Sequence, residues 1–186
     1  MNAEIETGLV DLAERLRRST VAVRTRGGNG SGIVWDTAGT IVTNAHVVSA
    51  RRAEVILGDG RRYIAQLVAR DPQHDLAILQ IHADNLIAAE TRDAASVRVG
   101  EVLVALGHPH GVPNALAFGI AATRSDRFVR ADLKLAPGNS GGPMADVHGR
   151  VVGVASMVAN GRAMGIPTET VRAFLTYLSA SEARAA

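Results

Sequence analysis

Twelve short, β-rich segments punctuated by glycine constrain this chain more than any other feature of its sequence. The first six are Val21 to Arg26, Gly32 to Asp36, Thr40 to Thr43, Ala53 to Leu57, Arg61 to Arg70 and Leu76 to Ile81. The second six are Glu101 to Leu106, Leu116 to Thr123, Phe128 to Leu133, Gly142 to Ala145, Arg150 to Val158 and Ala163 to Ile166. Strands of this length, with turn signals at Gly58-Asp59-Gly60 and His148-Gly149, predict an all-β sandwich or barrel. Their grouping predicts two similar β lobes, joined by the polar, alanine-rich stretch Asn85 to Val97. The expected division is therefore a helical segment over 1–18, a first lobe over 19–90 and a second lobe over 91–186.

A helix is expected at each end. Ile5, Leu9, Leu12, Ala13 and Leu16 recur at helical spacing, with acidic residues early and Arg15, Arg17 and Arg18 late, an order that suits the helix dipole. That helix can pack on its own lobes or on a neighbouring subunit. At the other end Thr168 reads as an N-cap for a helix carrying Val171, Phe174, Leu175 and Leu178.

Composition matters here for what it excludes. The chain has 186 residues, enough for one domain or two small lobes sharing an interface, and 47% of them are hydrophobic, which argues against disorder. Only Trp35, Tyr63, Phe118, Phe128, Phe174 and Tyr177 are aromatic, so small aliphatic side chains build the core and any pocket. The sequence pI of about 9.6 reflects a net charge of only +2 carried on arginine, with Lys134 the single lysine. Arg17-Arg18, Arg51-Arg52 and Arg61-Arg62 are scattered, without the basic run that tracks a phosphate backbone, so no nucleic-acid partner is expected. Cysteine is absent, and no metal or cofactor is expected. No apolar run reaches bilayer-spanning length, so no membrane partner is expected either. Residues 1–18 lack the basic start and apolar middle of a signal peptide. The expectation is a cytoplasmic protein, or an exported, periplasmic one if the sequence is trimmed from a longer form.

The chemistry centres on Ala136-Pro-Gly-Asn-Ser-Gly-Gly-Pro143. Glycines around Ser140 permit a sharp turn and the close approach of another backbone, as a nucleophilic hydroxyl needs, although Gly, Asn and Ser are also ordinary turn residues. His46, in Ile41-Val-Thr-Asn-Ala-His-Val-Val48, follows a strand and is flanked by apolar residues. Asp75, in Arg70-Asp-Pro-Gln-His-Asp-Leu-Ala-Ile-Leu79, stands at the start of another strand. Taken alone, His46 reads more readily as a structural histidine and Asp75 as a turn aspartate. Together they occur in the order His, Asp, Ser found in chymotrypsin-like triads. In that arrangement Ser140 attacks a carbonyl, His46 takes and returns the proton, and Asp75 fixes the imidazole tautomer. The N–H groups of the Gly138-Asn139-Ser140 turn, those of Gly138 and Ser140 in particular, would bind the oxyanion.

Thr43-Asn-Ala-His-Val47, His74-Asp-Leu-Ala-Ile78 and Pro137-Gly-Asn-Ser-Gly-Gly-Pro143 resemble the triad motifs of the trypsin-like HtrA/Deg serine proteases. Gly30-Ser-Gly-Ile-Val34, Leu106-Gly-His-Pro-His-Gly111, Gly149-Arg-Val-Val-Gly153 and Gly165-Ile-Pro-Thr168 extend the resemblance over roughly residues 9–180. It implies two perpendicular six-stranded β-barrels of chymotrypsin type, with His46 and Asp75 from the first and Ser140 from the second. It also implies a serine endopeptidase acting on unfolded or misfolded polypeptides in protein quality control. The alternative is a resting module of the same fold that binds unfolded chains without cutting them.

Departures from the family are equally legible. Members commonly carry PDZ domains after the protease domain, and this sequence has none. Members often trimerise through N-terminal aromatic residues, whereas no aromatic precedes Trp35, so a trimer lacks that support. By analogy the P1 pocket is lined near Leu135, Ser156, Met157 and Val158, and Lys134 stands six residues before Ser140 where trypsin-like specificity would place an aspartate. The expected preference is for small or medium aliphatic residues. Ser156 is also expected to brace Asp75. Of the other histidines, His108 and His110 are expected to be structural, His74 to point away from Asp75 along a strand, and His82 and His148 to lie on the surface. Gly27 to Gly32 is expected to form a tight turn, with neither the helix nor the Lys-Ser/Thr pair of a phosphate-binding loop after it.

Overall fold

The computed structural model describes residues 3–109, 114–125 and 127–185. Helix α1 (Ala3–Ser19) leads into six strands: β1 (Thr20–Thr25), β2 (Gly28–Val34), β3 (Thr40–Thr43), β4 (Arg52–Ile56), β5 (Arg62–Asp71) and β6 (Leu76–Gln80). A short 3-10 turn (Ala94–Ser96) lies in the connection to β7 (Val102–Gly107), β8 (Ala115–Arg124), β9 (Val129–Asp132), β10 (Pro143–Asp146), β11 (Val151–Ala159) and β12 (Arg162–Pro167). Helix α2 (Thr168–Ala185) follows. The strands close into two antiparallel barrels, β1-β2-β3-β6-β5-β4 and β7-β8-β9-β12-β11-β10, with the same order of neighbours in each. The all-β fold with two six-stranded barrels is thus the one the sequence predicts.

Alternation explains the closure. Inward residues of the first barrel, among them Val21, Val23, Ile41, Val55, Ala65 and Leu79, form one apolar cluster, and Leu103, Ala105, Ala121, Val129, Ala131 and Val152 fill the second. A third cluster joins the barrels: Ile33, Val42, Leu76 and Ile78 from the first pack with Val151, Val154, Ile166 and Val171 from the second and from α2. The two barrels therefore share one apolar core.

Helix α1 lays Leu12 and Leu16 on the outside of the second barrel, against Val104, Leu106 and Ala145, although it leads directly into the first. It packs on its own chain, the first of the two alternatives. Arg17 donates to the Gly58 carbonyl of the first barrel, and Arg15 to the His148 carbonyl of the second at 2.9 Å, so one helix is tied to both.

Three expectations need correction. The glycine run is not mainly a turn, because β2 begins at Gly28. Gly30 and Gly32 serve close approach within the sheet: a Cβ at Gly30 would stand 2.6 Å from Val47 Cγ1, and one at Gly32 would stand 2.9 Å from Ile41 Cγ2. Thr168 does not act as a simple N-cap, since its hydroxyl donates to the Arg92 carbonyl at 2.8 Å and so ties α2 to the inter-barrel connection. His74 lies in a turn over residues 72–75, where its Nδ1 is 2.6 Å from Asp71 Oδ2. Its direction is set by that contact instead of strand alternation.

Candidate active site

His46 sits in the turn that follows β3, between Ala45 and Val47, whose burial anchors the backbone, while half of its own side chain remains exposed. Asp75 closes the turn before β6 at φ 54°, a left-handed conformation uncommon for a residue with a Cβ and tolerated best by Asn and Asp. The conformation turns both polar ends of Asp75 toward the histidine turn. Its carbonyl accepts from the Ala45 N–H at 3.1 Å and from Asn44 Nδ2 at 3.0 Å. Its carboxylate accepts from the His46 N–H at 3.1 Å and contacts His46 Nδ1 at 2.9 and 3.0 Å.

An ionised carboxylate only accepts, so the ring nitrogen facing it carries the hydrogen and a neutral His46 presents the Nε2 lone pair outward. The second barrel adds a further donor: Ser156 Oγ lies 2.7 Å from Asp75 Oδ2. Burial raises the Asp75 pKa, but the hydrogen bonds from His46 and Ser156 outweigh it and hold the carboxyl below its ordinary value. The brace foreseen for Ser156 is present.

Ser140 occupies a turn between β9 and β10. Before it, Ala136-Pro-Gly-Asn139 closes with the Asn139 N–H donating to the Ala136 carbonyl at 3.0 Å, and Gly138 adopts φ 107°. Proline followed by a residue of positive φ is the signature of a type II turn. A Cβ at Gly138 would run into the His108 carbonyl and stand 2.9 Å from Pro109 Cα, so glycine is required. Of the three residues grouped as an oxyanion site, Asn139 has its N–H committed to Ala136. Among the described residues the N–H groups of Gly138 and Ser140 have no acceptor.

The Ser140 hydroxyl donates to the Ser156 carbonyl at 2.9 Å rather than to His46. Ser156 therefore links the whole set, its side chain on Asp75 and its carbonyl on Ser140. Beside it a cleft of about 440 Å3 opens between the 72–75 turn and the second barrel, lined by residues that include Asp75, Phe128, Met157, Ile166 and Thr170. Of the four residues assigned to a P1 pocket only Met157 lines this cleft. Val158 is exposed, Leu135 packs partly against the second-barrel core, and Ser156 is buried and engaged with Asp75.

Residues 30–154 match the trypsin-like peptidase domain family. The chain belongs to that family. The domain is 36% identical over 151 residues to the periplasmic serine endoprotease DegP of Salmonella typhimurium, covering 74% of this chain and 32% of that protein. It is 33% identical over 171 residues to the putative serine protease HhoA of Synechocystis, covering 82% of this chain and 43% of that one. Among solved structures, the HtrA-type protease AlgW with a decapeptide superposes with a TM-score of 0.83 at 25% identity, covering 91% of this chain and 66% of that chain. The trypsin-like peptidase domain is thus of HtrA/Deg type, and it spans about a third to two fifths of the length of these curated relatives.

Other groups around the site were only partly legible. Ser31 and Thr43, both fully buried, bind the nucleophile turn or its neighbours, yet nothing in their immediate sequence marks them apart from the motif glycines. His108 is buried, and its pKa is lowered by burial and then by the nearby Arg24 charge, as befits a structural histidine. His110 lies outside the described residues. Among the described residues no group of three metal-ligating side chains converges, and no helix is long and apolar enough to cross a membrane.

Proposed function

We propose that this domain is a serine endopeptidase in which His46, Asp75 and Ser140 act as the triad. The observation that carries the reading is the Asp75 carboxylate, held by His46 on one side and by Ser156 on the other, while the same Ser156 receives the Ser140 hydroxyl. Rotation about the Ser140 χ1 bond brings the hydroxyl from Ser156 to His46 Nε2 when substrate arrives, since catalytic hydrogen bonds in unliganded sites are commonly incomplete. Ser140 Oγ then adds to the scissile carbonyl carbon as its proton passes to Nε2. The tetrahedral oxyanion is received by the Gly138 and Ser140 N–H groups, and collapse expels the amine with the proton from His46, leaving an acyl-enzyme. Water deprotonated by His46 hydrolyses the ester and restores Ser140.

Substrates are proposed to be unfolded or misfolded polypeptides, cut after small or medium aliphatic residues, with Met157 the one of the four expected P1 residues that lines the cleft. Lys134, exposed six residues before Ser140, speaks against basic P1 residues. A role in quality control, implied by the resemblance of the motifs, and a periplasmic location, taken from the names of relatives such as the periplasmic DegP of Salmonella typhimurium, are part of the proposal. A second reading, a resting module that binds unfolded chains, is favoured by the Ser140 hydroxyl resting on Ser156. A fluorophosphonate that labels wild type but not Ser140→Ala, with casein cleavage lost in that variant, supports the peptidase. Binding of unfolded casein without labelling or cleavage supports the resting module.

A further inference from the structure

Ser31 lies in the first barrel, fully buried, and reaches the nucleophile turn of the second at two points. Its N–H donates to the Ser140 carbonyl at 2.8 Å, and its hydroxyl donates to the Gly138 carbonyl at 2.7 Å. These two carbonyls belong to the peptide planes on either side of the Asn139–Ser140 plane, which carries the nucleophile's own N–H. The carbonyl of that middle plane is held by the Gly142 N–H at 3.0 Å. One residue thus fixes the planes flanking the N–H on which an oxyanion would rest.

The hydroxyl is itself oriented. It has one proton, which goes to the Gly138 carbonyl because a carbonyl only accepts. Two donors converge on its oxygen from the start of the next loop: the His108 N–H at 3.0 Å, and the His108 ring through Nδ1 at 3.2 Å. With the Ser31 proton already committed, that ring contact is a hydrogen bond only when Nδ1 carries the hydrogen. His108, just after β7, then donates to the Ser31 hydroxyl through both its N–H and its ring, the N–H also reaching the Gly138 carbonyl at 3.4 Å, and the Ser31 hydroxyl donates onward from β2 to the nucleophile turn.

We infer that Ser31, oriented by the Nδ1–H of His108, is a positioning residue that holds the Gly138 and Ser140 N–H groups in their oxyanion-binding arrangement. It acts through the loop and does not touch the reacting atoms. The inference deepens the peptidase reading and rests on it for its kinetic consequence, while the loop order it describes can be measured independently.

The variants Ser31→Ala, His108→Ala and His108→Asn test it, the last because an asparagine amide can donate from nearly the place of Nδ1. Phosphonylation rate, kcat and KM are measured per titrated Ser140, together with amide hydrogen exchange over residues 136–142. Ser31→Ala and His108→Ala are expected to lower phosphonylation and kcat by about ten- to a hundredfold with KM nearly unchanged. Exchange at Asn139, Gly141 and Gly142 should speed up in both, and His108→Asn should recover most of the loss. Wild-type exchange in Ser31→Ala and His108→Ala overturns the inference whether or not the protein is a peptidase. So does a fall in melting temperature without a change in kcat per titrated site. If wild type is never phosphonylated, the peptidase reading fails, and the exchange data still decide the role of Ser31.

Discussion

Asp75 gathers a backbone N–H, a ring N–H and a hydroxyl on one carboxylate, and Ser156 is the only one of these donors that comes from the opposite barrel. Replacing it, as in Ser156→Ala, is expected to lower kcat about ten- to a hundredfold by loosening His46, with the fold retained. The pH dependence follows from the sign of the Asp75 shift. Because the folded carboxyl titrates below its ordinary value of 3.8, its contribution to stability is present above that value and is lost as pH falls through the folded pKa. Ser156→Ala, which brings the folded carboxyl back toward that value, should therefore lose less stability to acid than wild type, its deficit at pH 5 narrowing toward pH 2 in denaturation midpoints. His108 acts in a higher window. Its folded pKa lies below the ordinary 6.5, so the folded state takes up its proton less readily, and stability should decline as pH drops from that value toward the folded one. His108→Asn, which has no titrating ring, should flatten the melting curve against pH between 5 and 7. The roles of His46 and Ser140 could be argued from their flanking motifs. The Ser140 hydroxyl resting on Ser156 could not, because a side-chain rotamer answers to partners far away in the chain.

At the level of elements, eleven of the twelve strands fall within a residue or two of where alternation and glycine punctuation put them, β2 starting four residues early, and misreadings cluster where a residue answers to a distant neighbour. Gly28–Ser31 looks like turn sequence but is strand, because Gly30 is squeezed between Val47 and the Ser140 carbonyl. A Gly30→Ala change should push the His46 turn from the nucleophile turn, lowering kcat by about a hundredfold while stability falls by about 1–3 kcal/mol. Kinetics and urea denaturation on one preparation separate the two effects. Thr168 carries a capping signature but spends its hydroxyl on Arg92, since folding brings that carbonyl within reach across 76 residues. Helix α1 was legible as amphipathic, yet its apolar stripe does not say which barrel receives it. Leu16, buried against Val104 and Leu106, makes the seat measurable: Leu16→Ala should cost about 2–5 kcal/mol in urea denaturation.

Over the whole molecule, the barrels share the cluster of Ile33, Val42, Leu76 and Ile78 with Val151, Val154, Ile166 and Val171, and α1 is tied to both. Neither barrel can open without exposing that common core, so unfolding is expected to be one cooperative transition, with calorimetric and van't Hoff enthalpies equal. Two resolved transitions would show that the barrels are independent. The sequence by itself determined the two sets of six strands and the chain order of His46, Asp75 and Ser140, because alternation, turn chemistry and flanking motifs are local signals. Only the tertiary structure decided that Ser156 joins Asp75 to Ser140, that the glycine run is strand, and that Ser31 and His108 reach the nucleophile turn. These are contacts between residues far apart in the chain, and their partners become neighbours only once two closed barrels bury a common face.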